Sequence, residues 1–251
     1  MKLAVYQGPS PAGSVDDGLL VIRRTLGAAG FAGAGMAVFP EVFLPGYNVT
    51  DPGEGARTVA DWVKALAPMV RSSGCGLTVG VAERDGDALY NSALAIGRDG
   101  ELLSQYRKTQ LYGPRENRLF RCGTKLSVFE FEGQKAALLI CYDIEFAPLI
   151  RQLASLGVTL ILCPTANMMP YTHVPRLTVP AQAVNHGVAI AYANFCGVEG
   201  DLTYSGGSVI VGRDGAIHAQ AGQAEALLIC ELPAPDPILL PTQLADFRPV
   251  E

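Results

Sequence analysis

The feature that most restricts how this chain can fold is its alternation of short β-rich runs with segments of helical periodicity, separated by turn signals. That order of elements calls for α/β layers around a common core. Lys2–Gln7 reads as a strand. Ser14, with Asp17 three residues on, caps a helix carrying Leu19, Ile22 and Leu26 on one face. Residues 36–39 read as a short buried strand that stops at Pro40-Glu41, and Val59, Trp62, Val63, Leu66 and Val70 recur at helical spacing. Leu77, Val79 and Val81 alternate as strand positions. Hairpins are expected between 93–97 and 101–106 through Arg98-Asp99-Gly100, and between 126–131 and 135–140 across Glu132-Gly133. On this reading Cys141 ends a buried strand. Further strands are expected at 158–163, 188–193, 208–211 and 226–230.

A chain of 251 residues, 49% of them hydrophobic, can bury the core of one layered domain spanning 1–251. No linker, internal repeat or low-complexity stretch divides it. Five prolines between Pro233 and Pro249 oppose a helix or a central strand. Residues 233–251 are therefore expected to form an extended arm, lying on their own domain or on a second subunit.

Charge and composition exclude several function classes. The net charge is -5, from 19 Lys+Arg against 24 Asp+Glu, and no basic cluster stands out, so a nucleic-acid partner is not expected. No apolar run reaches the ~20 residues that span a bilayer, and the first segment turns polar at Gly8-Pro9-Ser10, too early for a signal peptide. The expectation is a cytoplasmic protein without a membrane partner. The six cysteines are scattered without C-x-x-C spacing, and His173, His186 and His218 are not paired at i+3 or i+4, so no metal site is expected. Gly27, Gly30, Gly33 and Gly35 precede a strand where a dinucleotide fingerprint would follow one, and no cofactor is expected. The run Ser205-Gly206-Gly207-Ser208 reads as a tight turn and not as a nucleophile elbow.

Chemistry is more plausible at three places where an apolar run gives way to a reactive residue. Leu138-Leu139-Ile140 runs into Cys141 and then Tyr142-Asp143-Ile144-Glu145-Phe146. A thiol so placed is held rigidly yet exposed, and Pro148 near a helical start lets backbone N–H groups face charge developing on it. Glu41 follows the strand at 36–39, and Lys108 follows the one at 101–106. Taken singly, these three residues read as a buried thiol, a turn carboxylate and a solvated ammonium. A Cys–His pair in space is an alternative arrangement for Cys141.

Taken together, F-P-E at 39–41, Y-R-K at 106–108, C-Y-D at 141–143 and P-T-A at 164–166 resemble the nitrilase superfamily of carbon–nitrogen hydrolases, as do the 194–208 segment and Asp214-Gly215. The resemblance implies a four-layer α-β-β-α sandwich, associated with paired subunits and thus with a homodimer or larger homo-oligomer. It also implies Glu41 as general base, Lys108 as cationic stabiliser and Cys141 as nucleophile, with no metal or cofactor. Glu116, in the loop expected after Lys108 and four residues before Phe120, matches the family's second glutamate and would hold substrate or Lys108. Cys141-Tyr142-Asp143 is similar to the amidase and carbamoylase branches, and Gln110-Leu111-Tyr112-Gly113 with Tyr192-Ala193-Asn194 to short-chain aliphatic amidases. Tyr47, Tyr142 and Asn167 are the candidates for contacting a small amide substrate. The same triad would serve an N-carbamoyl amine or ω-amide hydrolase, and further down the order a nitrilase or a non-catalytic binding protein. The chain departs from the family pattern at Thr109-Gln110, Ala147-Pro148 and Arg121-Cys122-Gly123, which bears on the substrate and not on the triad.

Overall fold

The computed structural model describes residues 1–248; residues 249–251 of the expected arm lie outside it. The chain runs β1 (Lys2–Gln7), α1 (Val15–Phe31), β2 (Met36–Val38), α2 (Val59–Ser73), β3 (Gly76–Asp85), β4 (Ala88–Ile96), β5 (Leu102–Arg107) and α3 (Gly113–Leu119). It continues through β6 (Val128–Phe131), β7 (Gln134–Leu138), a 3-10 turn (Cys141–Glu145), α4 (Ala147–Ser155), β8 (Leu160–Pro164), a π turn (Val174–Thr178), α5 (Val179–His186) and β9 (Ala189–Ala193). The last elements are β10 (Val198–Glu199), β11 (Leu202–Thr203), β12 (Val209–Val211), β13 (Ile217–Gln220), β14 (Ala226–Glu231), a 3-10 turn (Pro237–Leu239) and α6 (Gln243–Asp246).

Two six-stranded sheets face each other. The first has the order β14-β1-β2-β3-β4-β5 and the second β13-β12-β9-β8-β7-β6. Each has three parallel strands, β1-β2-β3 and β7-β8-β9, flanked by antiparallel ones. The parallel strands need long crossovers, and the crossover helices cover the outer faces. Ile22 and Leu26 of α1 and Trp62, Leu66 and Val70 of α2 pack on Leu77, Val79 and Val81. Each such buried large side chain contributes roughly 1.5–3 kcal/mol. On the second sheet α4 and α5 pack, through Ile150, Leu153, Val179 and Ala183, into one core with Ile161 and Ile190, which pair across β8 and β9 and share a face. All four layers of the α-β-β-α sandwich thus come from one chain, so pairing of subunits is not needed to complete them.

Local chemistry explains the helix and turn positions. Ser14 accepts the Asp17 N–H at 3.2 Å to cap α1, Thr58 caps α2 through the Asp61 N–H, and Gly74 ends α2 in a left-handed conformation. The Glu132-Gly133 hairpin has φ of 48° and 76° at its two turn residues, the type I′ geometry that matches strand twist.

Three sequence expectations need correction. Strand β7 ends at Leu138, so Cys141 opens a separate 3-10 turn and does not end a strand. The reason is that the Ile140 N–H donates to the Asp143 carboxylate at 3.1 Å instead of continuing the sheet ladder. The arm is not extended throughout, because the proline-free stretch after Pro241 lets α6 form. The glutamate at 116 sits on a helix, α3, and not in a loop.

The inner face of the first sheet is built from small residues where it meets the second. Thr78 pairs across the ladder with Ala95, and Gly80 with Ala93, placing these four on one face. The backbone of the loop after β2 crosses directly over Gly80, whose N–H donates to the Pro40 carbonyl at 3.1 Å while its own carbonyl accepts from Leu44 N–H at 3.3 Å. A Cβ at Gly80 would stand 2.4 Å from the Val42 nitrogen and 2.6 Å from Glu41 Cα. Gly80→Ala is therefore expected to cost roughly 1–3 kcal/mol in urea unfolding. Because the collision falls on the loop holding Glu41, the activity of the folded fraction should drop as well; a variant with wild-type stability and turnover would contradict this account.

Candidate active site

Residues 41, 108, 116 and 141 arrive at one place from four different elements. The loop after β2 carries Glu41, whose N–H donates to the Thr165 carbonyl at 3.2 Å across the gap between the sheets. Lys108 directly follows β5; its N–H donates to Asn91 and its carbonyl accepts from Gly123, at 2.9 and 2.8 Å. Helix α3 brings Glu116, buried on its inward side. Cys141 lies at the start of the 3-10 turn with φ of 47°. Glu41 is thus tied through its backbone to the Thr165-Ala166 step that follows β8. Parallel α/β sheets place ligand sites outside the carboxyl ends of their strands, which is where β2, β7 and β8 deliver these residues.

Two of the backbone positions are strained. Val42, next to Glu41, has φ of 42°, and Cys141 has φ of 47°. Left-handed backbone is costly for a side chain with a Cβ, particularly a β-branched one, and persists where the surroundings enforce it. Here the enforcing contacts are those that aim Glu41 and Cys141.

The Lys108 ammonium is fully buried and lies between two carboxylates, donating to Glu41 Oε1 at 2.6 Å and to Glu116 Oε1 at 2.8 Å. Asn91 Nδ2 donates to the same Glu41 oxygen at 2.6 Å. Glu116 is held further by the Tyr47 hydroxyl on Oε1 at 2.7 Å and the Tyr112 N–H on Oε2 at 2.8 Å. Glu41 Oε2, by contrast, is buried with no hydrogen-bond partner among the described residues. One carboxylate oxygen is anchored and the other is available as a proton acceptor.

Burial and charge set the proton affinities. Burial pushes the Glu41 carboxyl up to about 7; Lys108 opposes the rise and the Glu116 carboxylate adds to it. Burial alone would pull the Lys108 ammonium down, but the carboxylates of Glu41 and Glu116 outweigh it and hold it well above the usual lysine range. The Cys141 thiol is raised well above its ordinary value, first by burial and then by the Glu41 charge, with Lys108 and the Ala166 N–H compensating only in part. A thiol so raised is protonated near neutrality and needs a base to become a nucleophile.

The other candidates divide. Tyr47 meets the cluster through Glu116. Tyr142 is half-buried at the mouth, edge-on to Tyr112 at 5.3 Å and to Phe146 at 4.9 Å. Asn167 spends its amide on the scaffold, donating to the Tyr171 carbonyl at 2.9 Å and to Ser205 Oγ at 3.1 Å. The histidine alternative for Cys141 gains no support: His186 bonds the Gln182 carbonyl within α5, His218 lies on edge strand β13, and His173 sits edge-on to Tyr171. Sequence reasoning did not find Asn91, because its role depends on the β4–β5 pairing that sets it beside Lys108. Nor did it assign a role to Tyr112 and Tyr171, whose hydroxyls lie 3.1 Å apart; Tyr112 entered only within the 110–113 resemblance, and no local motif marks Tyr171.

Comparison with known proteins gives this site its context. The family model for carbon-nitrogen hydrolases matches residues 2–236. A hydrolase encoded in the pqqF 5′ region of Pseudomonas protegens is 38% identical over 234 residues, covering 91% of this chain and 81% of that protein. An (R)-stereoselective amidase from a Pseudomonas species is 33% identical over 242 residues, covering 92% and 85%. Among solved structures, an amidase of Nesterenkonia sp. AN1, captured with acrylamide added to its active-site cysteine, superposes with a TM-score of 0.88 at 32% identity, covering 99% of this chain and 96% of that one. A cysteine variant of the same amidase, in complex with butyramide, gives 0.89 over 99% and 94%. With the family model matched across nearly its whole length, the chain belongs to the carbon–nitrogen hydrolases of the nitrilase superfamily, on its amidase side, and is a hydrolase of non-peptide carbon–nitrogen bonds.

Proposed function

We propose that this protein hydrolyses small aliphatic amides to the carboxylic acid and ammonia through a thioester on Cys141. The observation that carries the reading is the half-satisfied Glu41 carboxylate, with Oε1 tied to Lys108 and Asn91 and Oε2 unpartnered, in a cluster with a protonated thiol. Glu41 Oε2 takes the thiol proton as the sulfur attacks the amide carbon. The oxyanion that forms is stabilised by the Lys108 ammonium and by the Tyr142 N–H in the first turn of the 3-10 segment, where N–H groups lack helical partners. Glu41 passes the proton to the leaving nitrogen, ammonia departs, and the acyl group remains on sulfur. Glu41 then deprotonates a water that attacks the thioester, releasing the acid and restoring the thiol. Glu116 keeps Lys108 in place, and Tyr47 keeps Glu116.

The substrate assignment draws on the relatives: the Nesterenkonia amidase has been captured with acrylamide and with butyramide. The aromatic edges of Tyr112 and Tyr142 at the mouth fit a short, uncharged acyl chain. Exposed Leu177, Ile238 and Leu239 fit a further reading, that copies of the chain associate, for which light scattering should give a mass above that of one chain.

Ammonia release from short aliphatic amides, nitriles, N-carbamoyl amines and ω-amides tests the substrate class directly. Simple amides should be turned over by the wild type and not by Cys141→Ala; selective turnover of ω-amides or carbamoyl compounds would retain the chemistry and replace the substrate. The pH dependence follows from Glu41. Its carboxyl acts as base only when deprotonated, and its raised value moves the acid limb of kcat/KM from the ordinary carboxylate range to about pH 7. An acid limb near pH 4–5 would rule Glu41 out as the base. Lys108→Ala should lower kcat by roughly 10²–10³-fold and also destabilise the fold by about 3–5 kcal/mol, because two buried carboxylates lose their counter-charge. A melt unchanged at neutral pH would show that the ammonium does not balance them.

A further inference from the structure

A third carboxylate connects the two halves of the site without joining the cluster around Lys108. Asp143, fully buried in the 3-10 turn, accepts four hydrogen bonds. Its Oδ1 takes the Thr109 hydroxyl and the Gln110 N–H, each at 2.9 Å. Its Oδ2 takes the Tyr106 hydroxyl at 3.0 Å and the Ile140 N–H at 3.1 Å. Tyr106, Thr109 and Gln110 flank Lys108 on the first sheet, whereas Ile140 immediately precedes Cys141 at the end of the second.

We propose that Asp143 is a positioning residue, a carboxylate clamp that holds the Lys108 segment in register with the Cys141 turn. The inference rests on the reading of Lys108 and Cys141 as catalytic given above. The donors are of two kinds. The hydroxyls of Tyr106 and Thr109 can rotate and either donate or accept, but the two backbone N–H groups only donate. One of these fixed donors belongs to the lysine side and meets Oδ1, and the other belongs to the cysteine side and meets Oδ2. A carboxylate alone offers an acceptor to both. An asparagine side chain has one acceptor oxygen and one NH2 group, so in either orientation it turns N–H against N–H at Gln110 or at Ile140. One arm of the clamp is lost whichever way the amide lies, and the orphaned amide is buried.

The geometry also accounts for the position of the nucleophile. Capture of the Ile140 N–H is what takes the chain out of β7 and into the turn where Cys141 adopts its left-handed backbone. Asp143 therefore acts on the sulfur through the backbone of the residue immediately before it, and on the ammonium through the residues on both sides of it. Displacements at this range are amplified in the reaction rate, since a shift of about 1 Å can cost on the order of 10²-fold.

The test compares Asp143→Asn with Tyr106→Phe in amide turnover and in the rate at which iodoacetamide labels Cys141, read by mass spectrometry. For Asp143→Asn the expectation is a loss in kcat of roughly 10- to 100-fold, with KM changed less than about twofold, and slower labelling of Cys141. Tyr106→Phe removes a rotatable donor from the same oxygen and leaves both amides satisfied, so its losses in kcat and labelling rate should be clearly smaller than those of Asp143→Asn. Wild-type kcat and labelling in Asp143→Asn, or an equal loss in both variants, overturns the clamp. If Asp143→Asn does not fold, hydrogen exchange of the unmodified enzyme decides: the Gln110 and Ile140 amides should share one opening event and equal protection, and unequal protection overturns the proposal. Failure of the amidase reading looks different, with wild type and Cys141→Ala equally inactive on amides; labelling and exchange then still report on the clamp.

Discussion

A lysine ammonium with no access to water can persist only where counter-charge surrounds it, and this requirement at Lys108 organises the molecule. Two carboxylates answer it from opposite directions, one on the loop after β2 and one on α3. Each is then fixed by neutral donors, Asn91 for Glu41 and both Tyr47 and the Tyr112 N–H for Glu116. The first sheet, its crossover loop and the short helix after β5 therefore cannot shift independently. The second sheet joins this arrangement through the Thr165 carbonyl and the Asp143 side chain.

The buried charge is not balanced. Glu41 and Glu116 are two carboxyl groups on one ammonium, and burial first, then the Glu116 charge, raises Glu41 in spite of its contact with Lys108. Burial, and after it the Glu41 charge, keeps the cysteine protonated, in contrast to thiols activated by a neighbouring cation or a helix N-terminus. A proton held on sulfur and a buried, unpartnered carboxylate oxygen at Glu41 therefore share one cluster.

Much of this was legible in the sequence, and the remainder was hidden for physical reasons. Strand β1, helices α1 and α2 and the Glu132-Gly133 turn could be read from periodicity and capping, since each is specified within a few residues. That residues 41, 108 and 141 converge was legible because each was expected at the end of a strand, and 116 entered through the family resemblance. Helix α3 was missed because Tyr112, at its N-cap, makes no side-chain capping bond and the helix is only seven residues long. Strand β13 has a half-exposed, non-alternating pattern, and α5 begins with a valine and a proline after an irregular turn. Asn91 and the bonds of Asp143 depend on partners tens of residues away, which one-dimensional patterns do not encode.

The small inner face of the first sheet has a consequence for how such a protein changes over time. Glu41 follows a strand of one sheet and Cys141 a strand of the other, so the gap between carboxylate and thiol depends on how closely the two sheets stack. Ala93 and Ala95 of the first sheet pack in the core shared with the second. A methyl group gained or lost there would alter the reacting distance without touching substrate, ammonium or sulfur. The interior of this fold is in that sense a gauge block for the chemistry at its rim, and sequence drift in the core is read out as drift in rate.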